Sequence, residues 1–138
     1  MALAEKHQLP LIIHAVKALA DVINLLKEYP KVGGVLHSFS GSIEQAEILH
    51  KRGFLFGIGG PVTWNNARKI KEMVAKLPLD AIVLESDAPD QPPENYRGQR
   101  NQPAWIVDVV EEIAKLHSLS TTEVAKFTTA NAERLFKL

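Results

Sequence analysis

Short apolar runs alternate with amphipathic stretches along the whole chain. Leu9 to His14, Val32 to Leu36, Phe54 to Gly60 and Ala81 to Leu84 are apolar almost throughout and are bounded by proline, glycine or charge. Runs of that length and punctuation predict buried strands. Between them the period changes to the helical one. Leu19, Val22, Ile23 and Leu26 recur at i, i+3, i+4 and i+7 ahead of Pro30, and Ala67, Ile70, Val74 and Leu77 precede Pro78. Each set predicts an amphipathic helix with a proline beyond its end. Ser42 and Gln45 form a capping box that opens a helix lined by Ile43, Ala46 and Leu49, and Gly53 is placed to end it in the left-handed conformation. Met1 to Gln8 has good helix formers and no N-terminal cap, which predicts the last turns of a helix begun further upstream.

Beyond the fourth strand, Pro89 to Gln102 is a polar loop with three prolines, and Pro103 stands where a helix favours its first turn. Ile106, Val109, Val110 and Ile113 carry the helical period again. A second capping box, Ser120 with Glu123, opens a last helix whose apolar face is expected at Val124, Phe127 and Leu135. Four strand–helix alternations with a terminal helix make an α/β domain spanning 1–138. Its strands, apolar throughout, are expected to be parallel and covered on both faces. An open doubly wound sheet and part of a (β/α)8 barrel both satisfy this. Each unit takes about 25 residues, so eight would need roughly 250, about twice this chain.

Composition changes the picture mainly by exclusion. The 138 residues are 46% hydrophobic and 23% charged, with 16 basic and 16 acidic side chains. Zero formal net charge offers no bulk attraction to nucleic acid or membrane, so an anionic substrate needs a local site. Without cysteine there is no disulfide framework and no thiolate zinc site. No apolar run is long enough to span a bilayer and no secretory signal is visible. A cytoplasmic protein is the expectation.

The candidate chemistry lies where the strands end. His14 closes the first strand, His37 the second, and Glu85 and Asp87 follow the fourth. In both architectures the strand C-termini gather on one face, where sites are built. Two imidazoles and a carboxylate there suit zinc, manganese or another divalent ion; alternatively each histidine bonds a carbonyl at a loop start. Glu85 lies deeper than Asp87 on the same face, either backing a ligand histidine or pairing with a cation. Ser38 and Ser40 could donate to a phosphate or act as caps. Arg97 and Arg100 could clamp phosphate, with Tyr96 and Trp105 as base-stacking surfaces, or remain solvated loop charges. Trp64 is expected to pack, and Asn131 to make a structural hydrogen bond. Gly57, Gly59 and Gly60 allow close backbone approach or a sharp turn but do not match a dinucleotide fingerprint.

Pro10-Leu-Ile-Ile-His14, Gly34-Val-Leu-His-Ser-Phe-Ser-Gly41, Leu84-Glu-Ser-Asp-Ala-Pro89 and Asn131-Ala-Glu-Arg-Leu-Phe136 occur in this order. Together they resemble the TatD-type metal-dependent deoxyribonucleases of the amidohydrolase superfamily. The resemblance covers essentially the whole chain and only the C-terminal half of that family's barrel. It implies a (β/α)8 fold and a two-metal centre that hydrolyses phosphodiesters of DNA or a small analogue, with zinc, magnesium or manganese as the cofactor. It casts His14 and His37 as ligands of one metal, and Asp87 as a ligand of the other and the acceptor of a proton from the attacking water. The family's first-strand His-x-His pair and its bridging glutamate have no counterpart before His14, and Val16 stands where many relatives have arginine. Two open strand edges then predict self-association, most simply a homodimer. A non-catalytic half barrel with an incomplete metal site, stable only as an oligomer, is the alternative.

Overall fold

The computed structural model describes residues 1–138. The four apolar runs form one sheet: β1 (Leu11–His14), β2 (Gly34–His37), β3 (Phe54–Ile58) and β4 (Ile82–Leu84), all parallel and in sequential order. Leu11 pairs with Gly34, Leu36 with Phe56 and Ile58 with Leu84, so the strands end nearly level. The predicted crossover helices are α2 (Leu19–Leu26), α3 (Ile43–His50) and α4 (Arg68–Val74); α1 (Ala2–His7) precedes β1, and α5 (Ile106–His117) and α6 (Thr121–Phe136) follow β4.

Strand order separates the two architectures left open by the sequence. A doubly wound sheet reverses direction and carries helices on both faces. Here Leu36, Phe54, Phe56, Ile58 and Ile82 of the strands share one core with Leu26, Leu49, Val74, Val109 and Ile113 of α2 to α5. All four of those helices therefore lie on one side of an unreversed sheet, as in a (β/α) barrel. Complete burial of each such side chain stabilises the fold by roughly 1.5–3 kcal/mol.

The opposite, inner face is thinner. Val35, Leu55 and Val83 are 5–6% exposed because Ala132 and Leu135 of α6 pack on them. Ile12, in the same row on β1, is 68% exposed. The expected cover on both faces thus holds for β2 to β4 and fails for β1, an edge strand that α6 does not reach. Asn131 makes the expected structural bonds, donating through Nδ2 to the carbonyls of Leu79 and Ile82 at 2.7 and 2.8 Å, which fastens α6 beneath β4.

Both capping boxes form as expected. Ser42 Oγ accepts from the Gln45 N–H while Ser42 N–H donates to Gln45, and Ser120 and Glu123 do the same for α6. Gly53 has φ 81, the left-handed turn predicted for it. Phe127 is a correction: it is 48% exposed. The buried face of α6 runs through Val124, Thr128 and Asn131. Thr128 hides its hydroxyl by donating to the Val124 carbonyl at 2.9 Å, so a polar residue takes the place the periodicity assigns to phenylalanine.

Candidate metal centre at the strand ends

Side chains two apart on a strand share a face, so His14 shares Ile12's inner side and His37 that of Val35. Their backbones are register partners, and the two rings lie 5.4 Å apart between centroids. On β3 the next position in this row is Gly57, and after β4 it is Glu85. A Cβ on Gly57 would sit 2.1 Å from Glu85 Oε2. The missing side chain therefore lets the Glu85 carboxylate cross over β3 and reach β2. There it bonds His37 Nδ1 at 3.0 Å and accepts the Ser38 N–H at 2.7 Å. Gly60 has a similar task, since a Cβ there would meet the Gln91 carbonyl at 2.1 Å. These glycines make room for the protein's own residues.

Five contacts close a ring around His37. Glu85 holds Nδ1; Ser38 gives its N–H to Glu85 and its hydroxyl to Gln91 Oε1 at 3.2 Å; Gln91 Nε2 donates to Asp87 Oδ2; and Asp87 Oδ1 returns to His37 Nε2 at 3.3 Å. An ionised carboxylate only accepts, so Glu85 calls for the proton on Nδ1 and leaves the Nε2 lone pair facing outward. Asp87 and Nε2 are then two acceptors face to face, an arrangement that suits a cation between them. Asn101, 2% exposed, steadies the turn carrying Asp87 by donating to the carbonyls of Ser86 and Asp90 at 2.6 Å each.

Two other histidines provide a contrast. His50 Nδ1 lies 3.4 Å from the Phe54 carbonyl, and His117 Nε2 lies 3.0 Å from that of Val74. These are the carbonyl-bonding roles weighed for His14 and His37, and neither of those two has such a bond. By donor type and rim position His14, His37 and Asp87 fit a divalent ion, with Glu85 as the carboxylate behind a ligand imidazole. They are not gathered into a cage: no group of three His, Cys, Asp or Glu side chains is arranged to hold a metal ion.

A cleft of about 400 Å³ opens beside them, lined by His14, His37, Lys17, Ser40, Trp64 and Gln91 among others. The remaining candidates are distributed unevenly. Ser38 spends both its donors inside the ring, and Ser42, not Ser38 or Ser40, caps α3. Arg97 lies over the Trp64 ring at 4.6 Å and pairs with Glu94 at 3.6 Å; neither it nor Arg100 lines the cleft. Tyr96 and Trp105 stack on each other at 3.9 Å, so those faces are taken. Trp64 donates to the Pro92 carbonyl at 2.9 Å and walls the cleft as well as packing. Gln91, Asn101 and Lys17 escape a reading of the sequence, where each is one polar residue among many in a loop.

Fold and rim together define a (β/α)-barrel protein whose strand-end face carries donors of the kind metal-dependent hydrolases use. The family described as TatD related DNase matches residues 1–137, and the chain belongs to it. YabD of Bacillus subtilis (strain 168), described as an uncharacterized metal-dependent hydrolase, is 44% identical over 140 residues, covering 100% of this chain and 55% of its own length. The crystal structure of YjjV, a TatD homologue from Escherichia coli K12, superposes with a TM-score of 0.91 at 35% identity, covering 99% of this chain and 53% of that one. A TatD family hydrolase from Entamoeba histolytica, 21% identical, shares the fold with a TM-score of 0.81, again over 98% of this chain and 53% of its own. The chain spans about half the length of these relatives.

Proposed function

We propose that this chain carries part of the active site of a metal-dependent hydrolase that cleaves phosphodiesters, DNA or a smaller analogue. One observation supports the reading above the others: the ring that fixes Glu85 on one side of His37 and Asp87 on the other, beside an open cleft. The imidazoles of His14 and His37 would hold one cation and Asp87 the other, as partial ligand sets that further donors would have to complete. A bound divalent ion supplies Lewis acidity and a lowered pKa for water at that point. Glu85 keeps the His37 ring from turning and keeps its lone pair outward. Gln91 holds Oδ2 of Asp87 and so turns Oδ1 toward His37 Nε2, the side on which Asp87 would take a proton from the attacking water.

The test is turnover of bis-p-nitrophenyl phosphate and of a short oligodeoxynucleotide with manganese, zinc or magnesium. Asp87→Asn should lower the rate by about 10²-fold or more. Unchanged turnover in Asp87→Asn, or metal retained equally by the His14→Ala and His37→Ala variants, defeats the reading.

A second reading rests on a different observation. β1 and β4 each have one unpaired edge, and Ile12 stands exposed on the inner face. Two copies would supply eight strands and cover those edges, giving an assembly that is stable whether or not its site turns over. Sedimentation at micromolar concentration should then show a dimer; a compact monomer excludes this assembly.

A further inference from the structure

Seven residues other than glycine adopt left-handed backbone: Gln8, Lys17, Ser38, Asp87, Gln91, Ser118 and Lys137. Gln8, Ser118 and Lys137 end helices, where that conformation is ordinary. The other four all belong to the strand-end rim. A side chain at positive φ costs free energy that a functional site often retains. For Ser38, Asp87 and Gln91 the reason is visible, because each is a link in the ring around His37. Lys17, at φ 54, has no such link: it forms no ion pair and no hydrogen bond through its side chain.

Its position makes up for that. Lys17 lines the cleft next to His14 and His37 and is the one lysine or arginine that does. Ser40, whose hydroxyl is free of the ring, lines it too, and the half-buried Trp64 gives it an aromatic wall. The carboxylates of Glu85 and Asp87 repel an anion from this rim, so an anionic ligand needs a counter-charge within the cleft.

We propose that Lys17 is the anion-recognising residue of this cleft, and that the ligand is a phosphate ester bearing an aromatic group. Its non-bridging oxygens meet the Lys17 ammonium and the Ser40 hydroxyl, and its ring lies against Trp64. This deepens the hydrolase reading and rests on it for the ester, but the anion site is testable without metal or turnover.

The probe is phenylphosphonate, which resists hydrolysis, titrated calorimetrically into the metal-free chain. Lys17→Gly suits the left-handed backbone, so it removes the charge without straining the fold; its thermal midpoint should be no lower than that of the parent. Binding should be saturable in the parent, weaker by about tenfold or more in Lys17→Gly, the order of one charge-assisted hydrogen bond, and restored to within about threefold in Lys17→Arg. Absence of saturable binding in the parent, equal binding by Lys17→Gly, or failure of Lys17→Arg to restore it would each overturn the proposal. The same samples assayed with manganese separate the two readings. Lys17-dependent binding without metal-dependent hydrolysis refutes the hydrolase alone, whereas hydrolysis with Lys17-independent binding refutes the anion site alone.

Discussion

His14 and His37 are register partners on neighbouring strands, yet their surroundings differ. His37 sits on a strand flanked by two others, so Glu85 arrives across Gly57 from one side and Asp87 from the loop beyond β4. His14 sits on the edge strand, and its neighbour in the rim is the His37 ring. The same split runs down the inner face, from the buried Val35, Leu55 and Val83 to the exposed Ile12. A residue's identity places it at the rim; the number of strands beside it decides how firmly it is held there.

The largest way to break this contrast is to close the passage above β3. Gly57→Val puts carbon where the Glu85 carboxylate lies, combining overpacking with loss of a charge-assisted hydrogen bond. A loss of about 3 kcal/mol or more is expected from denaturant unfolding. Next comes the comparison of the two histidines themselves. His37→Ala leaves Glu85 and Asp87 without their shared partner and should cost about 1–3 kcal/mol, whereas His14→Ala should stay within about 0.5 kcal/mol. Equal costs would mean that the ring does not hold His37.

The smallest effect concerns a region remote from the rim. The Ser120 hydroxyl and backbone N–H hold the Glu123 carboxyl below its ordinary value of 4.5. A lowered folded-state pKa contributes stability that is present above the unfolded value and is lost as pH falls through the folded one. Glu123→Gln should therefore flatten the acid limb of stability below about pH 4.5 and leave the parent the more stable of the two at neutral pH. Thermal melts from pH 3 to 7, a range chosen to bracket the carboxylate pKa, measure it. An unchanged acid limb would separate the cap from the titration.

Elements with a strong local cause were legible in the sequence. Both capping boxes, the Gly53 turn and the four strands follow from spacing that operates within a few residues. The strand-end position of His14, His37, Glu85 and Asp87 follows from the same runs. What could not be read depends on distant partners or on backbone state. Nothing near Ile12 in the sequence marks β1 as an edge. Gly57 reads as room for a ligand or a sharp turn until Glu85, 28 positions on, is seen to occupy its missing side chain. Gln91 and Lys17 carry left-handed backbone that neither residue type signals. Phe127 misleads because Thr128, by bonding back to its own helix, becomes the better residue to bury.

The seat of α6 has one more consequence. Ala132 and Leu135 stop the inner face from below, and Asn131 ties the helix to the start of β4. Strands added at either edge would complete the wall without opening that floor. A barrel closed over such a floor would be shut at that end, so a ligand and its product would have to share one mouth, at the strand C-termini.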